Sequence, residues 1–289
     1  MSSDPHSPEG TGAPVPGNAK SAVRSRLTGA GTVANLGHRG KGHSRAGNPH
    51  PENSLAAFRQ AMREGAWGIE LDVELCADGR LVVMHDDTLD RTTNQLGCVS
   101  AWTANDLRAR CRLLDGDGHL TAEAPPTLEE AFAAVGPDAL VNVELKVFAP
   151  ACRTRSTGPI ELAAATLREI RRLGVLDRTL LSSFHRPAVA AARQLAPDAY
   201  VALLLDVPES IESARGIAHA LELGADAIHP FFAIPDDGIS AARRAGLDVN
   251  VWTVNDAAVM RRLITAGATA IITDEPGQLA SVLTVPRAR

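Results

Sequence analysis

WGIELDVELCADGRLVVMHDD, residues 67–87, carries the pattern that decides the fold. In its first half Glu70, Asp72 and Glu74 fall on one face while Leu71 and Val73 fall on the other, the two-residue period of a β-strand. The turn at Asp78-Gly79 leads into RLVVMHD, a second short apolar strand. Upstream, VANLGHR is an apolar run ending in charge, and PENSLAAFRQAMREG follows it with helical spacing. Leu55, Phe58 and Met62 share a helical face, Pro51 suits the first turn and Gly65 the end. Downstream, Asp87 to about Pro126 is less regular and holds one short helix, TANDLRARC. Beyond it helices such as TLEEAFAAVG and PIELAAATLREIRRLG, which stops at Gly174, alternate with short apolar strands. The candidate strands are VANLG, GIELDVEL, VVMHD, LVNVELK, TLLSSF, YVALLLD, AIHPFF, VNVWTV and AIITD, one more than a (β/α)8 TIM barrel needs. The surplus strand is either extra or part of a hairpin beside the barrel. This alternation predicts an α/β chain with parallel strands covered by helices, a TIM barrel first and a doubly wound open sheet second.

Composition narrows the choice of function. The 289 residues carry 34 acidic and 29 Lys and Arg side chains, a net charge of -5, which argues against nucleic acid as the partner. No apolar run reaches the ~18 residues of a membrane span. Cys76, Cys98, Cys111 and Cys152 show no CxxC pair and call for no disulfide, which fits a cytoplasmic chain. Residues 1–30, rich in Pro, Gly and Ser, read as a disordered leader that the fold does not need. Residues 31–289 then form one barrel domain, with an insertion at approximately 87–126. Oligomeric state leaves no mark in the sequence.

Polar groups interrupt the apolar strands in a few places. His38-Arg39 ends the first strand and His85-Asp86 ends VVMHD. Asn142, Glu144 and Lys146 share a face of VNVELK, as Glu70 and Asp72 do in ELD. Unpaired carboxylates inside a barrel cost several kcal/mol or shift their pKa strongly unless something compensates them. Convergence on a hard divalent cation would do so: Glu70, Asp72 and Glu144 suit Mg²⁺ or Ca²⁺, with Mn²⁺ possible. Neutralisation by Arg39 and Lys146 in a buried ion network is the competing explanation. His185 and His229 also end strands, and Trp252 could wall a ligand pocket or fill the core. The Arg91-Thr92-Thr93-Asn94 loop could contact a substrate or brace the entrance.

Taken in series, HRG (38–40), PENSLAAF (51–58), GIELDVELCADGRLVVMHDDTLDRTT (68–93), PTLEEAF, VNVELK, LLSSF, VNVWTVN and IITDEP resemble the glycerophosphodiester phosphodiesterases. The resemblance runs from about Val33 to Leu279. It implies a TIM barrel with a small insertion after the HD strand. It also implies metal-dependent hydrolysis of a small-molecule glycerophosphodiester to glycerol 3-phosphate and an alcohol. Carried onto this chain, Glu70, Asp72 and Glu144 match the metal ligands and His38 and His85 the acid–base pair. Arg39 and Lys146 match phosphate contacts, and Glu52 joins or supports the metal. A related phosphodiester lyase or a lysophospholipase D would use the same groups. GKGHSRAGNPH, between HRG and PEN, is longer than in the bacterial members and is expected to shape the pocket mouth.

Overall fold

A computed structural model describes residues 19–29, 32–147, 152 and 158–284. Its strands are β1 (Ala34–Gly37), β2 (Gly68–Leu75), β3 (Leu81–Val83), β4 (Leu140–Leu145), β5 (Thr179–Ser183), β6 (Tyr200–Leu204), β7 (Ala227–His229), β8 (Asp248–Val251) and β9 (Ala270–Thr273). β1 pairs in parallel with both β2 and β9, so the parallel strands close into a barrel and an open sheet is excluded. β3 is the surplus strand, pairing antiparallel with β2 through the Asp78-Gly79 turn. The fold is a (β/α)8 TIM barrel with one hairpin strand outside the ring.

Strand alternation sorts side chains into two layers. Ile69, Leu71 and Val73 point outward and join Phe58, Leu128 and Leu162 beneath the helices. Leu36, Leu140, Leu180, Tyr200 and Ile272 fill the barrel interior. The helix after β1, Leu55–Arg63, starts later than Pro51 because Ser54 is its cap, accepting a hydrogen bond from the Ala57 N–H. Gly65 lies just past its end with φ +90, a conformation glycine adopts without steric cost.

The expectation of a disordered leader needs correcting for its last third. Residues 1–18 lie outside the described residues, but Ala19–Thr28 forms a helix, α1, at the barrel floor. Val23 and Leu27 are fully buried in the interior cluster. Arg24 donates to Asp248 Oδ2 at 2.8 Å, and the buried Tyr200 hydroxyl donates to the same oxygen at 3.0 Å. Two large apolar residues in ten, Val23 and Leu27, are a weak sequence signal, yet they suffice to stopper the floor of a barrel.

The region between β3 and Leu128 has a small core of its own, in which Val82, Met84, Leu89, Val99 and Leu107 pack together. Cys98 in this region is disulfide-bonded to Cys152, a second correction, since the cysteine spacing called for no bridge. The bond spans 54 residues and ties the region to the segment that follows β4. Closing a loop of that length stabilises a fold by about 4 kcal/mol in the chain-entropy picture.

Two stability outcomes follow from this packing. Leu27→Ala should cost about 2–5 kcal/mol, as for other fully buried leucines, and lower the melting temperature by several degrees. Deleting Met1–Leu27 should cost more. An unchanged melting curve for the truncated chain would show that α1 contributes nothing to the barrel.

Candidate active site

The polar groups gather at the carboxyl ends of the strands, where TIM barrels carry their chemistry. β2 and β4 run in register, so Asp72 lies opposite Glu144 and Glu70 opposite Asn142. Period two then turns Glu70, Asp72 and Glu144 inward together, and one carboxylate oxygen from each lies within 4.8 Å of the others. All three are buried. His38 and Arg39 leave β1, His85 follows β3, and Lys146 follows β4 by one residue. These side chains meet in a cleft of about 200 Å³ whose opposite wall is apolar, built from Phe184, Leu204, Trp252 and Ile272.

The carboxylates are held by backbone placed for the purpose. The Arg39 N–H donates to Glu70 Oε2 at 2.9 Å, and the Asn53 amide donates to Asp72 Oδ2 at 2.8 Å. Arg39 (φ 48) and Asn53 (φ 58) are the non-glycine residues with positive φ among those described. Such strain persists where surrounding structure enforces it and gathers at functional sites.

Two cations offset part of the crowding. Lys146 Nζ donates to Glu144 Oε1 at 2.6 Å and lies 3.6 Å from Asp72 Oδ1. Burial alone would lower the Lys146 pKa, but Glu144 and Asp72 raise it to about 12. Arg39 Nε is 3.6 Å from Asp72 Oδ2. Burial opposes ionisation of Asp72, yet Lys146 and Arg39 hold it well below the usual carboxylate range. Glu70 is different: burial first, then the charges of Asp72 and Glu144, push its carboxyl well above that range. Its Oε1 is buried without a hydrogen-bond partner. The ion network therefore satisfies two of the acids and leaves Glu70 only partly compensated, by the Arg39 N–H and charge. An oxygen-preferring divalent cation fits this donor set.

Glu52 does not belong to the group that could hold an ion. Arg91 grips it at both oxygens (2.7 and 2.8 Å), Arg39 donates at 2.8 Å and the Ser44 N–H at 2.8 Å. Burial would raise its pKa, but the Arg91 hydrogen bonds and the Arg39 charge bring it down to about 2. Arg91 also bonds Asp86 at 2.7 Å, so its loop braces the site from the side. Trp252 forms part of the cleft wall, its indole N–H donating to the His229 carbonyl at 2.7 Å and its ring meeting Phe184 edge-on at 5.3 Å. His229 is fully buried against the Asn250 amide at 2.8 Å, and burial pushes its pKa down to about 3. It is a neutral core residue, and neither it nor His185 lines the cleft.

His38 Nδ1 lies 2.7 Å from Asp274 Oδ1, and its Nε2 lies 4.0 Å from Glu70 Oε2. His85 Nδ1 lies 2.6 Å from Asp86 Oδ1, and its Nε2 lies 3.2 Å from Lys146 Nζ. Each imidazole is thus gripped by a carboxylate on one nitrogen and presents the other to the cleft. Sequence reasoning missed Asp274 and Asn53 as site residues. An aspartate ending IITD was a visible signal, but its place beside His38 emerges only when β9 closes against β1. The 41–50 segment does not line the cleft; it packs behind it, with the Gly47 N–H donating to Asp117 Oδ1 at 2.9 Å.

A barrel whose mouth opposes a carboxylate cluster to paired imidazoles and cationic side chains defines a class, the TIM-barrel hydrolases of phosphate esters. Within it, the chain belongs to the glycerophosphoryl diester phosphodiesterase family, whose model matches residues 38–278. A glycerophosphodiester phosphodiesterase of Caldanaerobacter subterraneus subsp. tengcongensis is 34% identical over 242 residues, 81% of this chain and 92% of that protein. Among solved structures, an Oleispira antarctica phosphodiesterase in complex with the product sn-glycerol-3-phosphate superposes with a TM-score of 0.74. It is 25% identical, covering 89% of this chain and 99% of that one. A glycerophosphodiester phosphodiesterase from Agrobacterium tumefaciens gives a TM-score of 0.66 at 28% identity over 86% of this chain and 97% of its own. No helix among the described residues is long and apolar enough to cross a membrane.

The electrostatics have a signed consequence. An acid whose pKa is raised by folding contributes stability at low pH and loses it as pH climbs toward the raised value. Without metal, ionised Glu70 is therefore destabilising at neutral pH. In chelator at pH 7.5, Glu70→Gln should melt above the wild type. Added Mg²⁺ or Ca²⁺ should raise the wild-type melting temperature and leave the variant almost unmoved. A variant that melts lower than wild type in chelator would contradict the like-charge account.

Proposed function

We propose that this chain hydrolyses glycerophosphodiesters to glycerol 3-phosphate and an alcohol at the cleft formed by His38, Arg39, Glu70, Asp72, His85, Glu144 and Lys146. One observation carries the reading: a carboxylate cluster faces two imidazoles in one small cleft, each held by a carboxylate at Nδ1 with Nε2 turned toward the acids and Lys146. Family membership and the sn-glycerol-3-phosphate held by the Oleispira antarctica relative support the substrate class.

Glu70, Asp72 and Glu144 would hold one divalent cation, Mg²⁺ or Ca²⁺ with Mn²⁺ also suited to oxygen donors. When bound, it supplies positive charge to the phosphoryl oxygens as negative charge builds there. Arg39 and Lys146 add their own, Arg39 through a planar fork that matches phosphate geometry. Both cations lie against the carboxylates and reach the cleft, so little reorganisation is needed to meet an anion there. Phe184, Leu204, Trp252 and Ile272 exclude water from the opposite wall and take the carbon skeleton of the ester.

Proton transfer falls to the two histidines. His38 Nε2 faces Glu70, which suits it to accept the proton of the attacking hydroxyl, whether of water or of the substrate's own glycerol. His85 is left to give a proton to the departing alcohol oxygen, for which its Nε2, which accepts from the Lys146 ammonium at 3.2 Å, must first take up a proton. Glu52 and Arg91 keep Arg39 and Asp86 in place. The Cys98–Cys152 bond favours an oxidising compartment over the cytoplasm expected from cysteine spacing.

Replacing either histidine with alanine should lower kcat by about 100-fold or more, as loss of a positioned proton-transfer group does. On a nitrophenyl phosphodiester, whose leaving group hardly needs protonation, His85→Ala should recover much of its loss and His38→Ala should not. Near-wild-type turnover of glycerophosphocholine by either variant would remove that histidine from the mechanism.

A further inference from the structure

The pair formed by His38 and Asp274 is built with more care than its distance alone conveys. The two residues leave neighbouring strands at the barrel's closing seam, where the His38 N–H also donates to the Thr273 carbonyl at 2.8 Å. Asp274 is 1% exposed. Its Oδ1 takes the His38 Nδ1 contact at 2.7 Å, and its Oδ2 accepts from the Asn255 amide at 2.8 Å. Asn255 cannot turn its amide round. Its own Oδ1 accepts from the Asp274 N–H at 2.9 Å and from the Thr273 hydroxyl at 3.2 Å, which commits its NH₂ to the carboxylate.

The segment between HRG and PEN closes the outer side of the same carboxylate. Gly42 lies so close that a Cβ there would sit 2.7 Å from the Asp274 Cβ, and its φ of +84 suits glycine. His43 Nδ1 is 3.3 Å from Oδ2, and Arg45 is 3.9 Å from it. Burial would raise the Asp274 pKa, but the His38 hydrogen bond, Asn255 and the His43 charge bring it down to about 2. Every group around Asp274 thus treats it as an acceptor.

We propose that Asp274 is the positioning residue that sets the tautomer of His38. Because its Oδ1 can only accept, the Nδ1 of His38 must carry the hydrogen, which leaves the Nε2 lone pair directed to the cleft as a proton acceptor. Asn255 and the Gly42–Arg45 turn hold the carboxylate in this attitude. The segment that lengthens this chain between HRG and PEN therefore acts on the reaction from behind His38, not by lining the pocket. This assignment rests on the reading of His38 as a proton-transfer group, but the tautomer itself can be measured without turnover.

Asp274→Asn tests it through the committed Asn255 amide. The new side chain must present its carbonyl to Asn255 and so its NH₂ to His38. Nδ1 then has to accept, and the hydrogen moves to Nε2. Asp274→Asn combined with Asn255→Asp reverses this. A carboxylate at 255 accepts the new NH₂, and the carbonyl turns back to His38.

The experiment is a long-range ¹H–¹⁵N spectrum of the imidazoles in the full-length, Mg²⁺-loaded protein at alkaline pH, with His38→Ala assigning the signal and kcat and KM measured alongside. Wild type should carry the His38 hydrogen on Nδ1 and Asp274→Asn on Nε2. The single variant should lose about 100-fold or more in kcat, with KM changed by less than about threefold. The double variant should regain the Nδ1 hydrogen and at least about tenfold of the lost kcat. An unchanged tautomer in Asp274→Asn, or a double variant no better than the single, would overturn the assignment. Wild-type turnover by His38→Ala would instead sink the reading of His38, and the spectra would still decide the role of Asp274.

Discussion

Like-charge crowding between two adjacent strands is the constraint on which the rest of this molecule turns. β2 and β4 run in register, and their inward positions bring Glu70, Asp72 and Glu144 within 4.8 Å of one another in a buried setting. Arrangements of this kind are destabilising unless charge of opposite sign is delivered to the same point. The fold delivers part of it through Lys146 and Arg39. It anchors two of the acids through the left-handed backbone at Arg39 and the side chain of Asn53. What remains is Glu70, with one oxygen unpartnered and its carboxyl driven toward the neutral form. A cluster left short of positive charge in this way could hold a cation.

The sheet and its acids were legible because period two is so plain a signal. ELD and NVELK each put polar side chains on a face that a barrel strand would normally fill with Val, Ile or Leu. That contradiction within a single strand located Glu70, Asp72 and Glu144 before any neighbour was known. The surplus strand also read clearly as a possible hairpin, since DG between GIELDVEL and RLVVMHD is a turn signal. Strand-end position singled out His38 and His85 and ranked His185 and His229 below them, and the family resemblance added the acid–base role. Burial separates those two cases: His229 is locked into the core by Asn250, while His38 and His85 keep one nitrogen in the cleft.

What escaped the sequence depends on closure. Asp274 reaches His38 across 236 residues of chain, and Cys98 reaches Cys152 across 54. Neither pairing leaves a spacing pattern. The α1 helix escaped for a different reason. Its mean hydropathy is low, and only Val23 and Leu27 are buried, so composition placed it with the polar residues before it. A plug at the floor of a barrel needs few apolar side chains, because the barrel supplies the rest of the apolar surface. The same logic applies to Glu52, which the resemblance left between ligand and support. Arg91, from a loop with no periodicity at all, holds both of its oxygens, which favours support.

The central claim is that Glu70, Asp72 and Glu144 form one cation site and that Glu52 stands outside it. Anomalous diffraction from crystals of the full chain soaked in Mn²⁺ tests this most directly. A single strong peak within coordination distance of oxygens from all three carboxylates, lost in Glu70→Gln, is the result the account predicts. A peak held by Glu52, or no peak at the cluster while Lys146 and Arg39 remain its sole counter-charges, would contradict it.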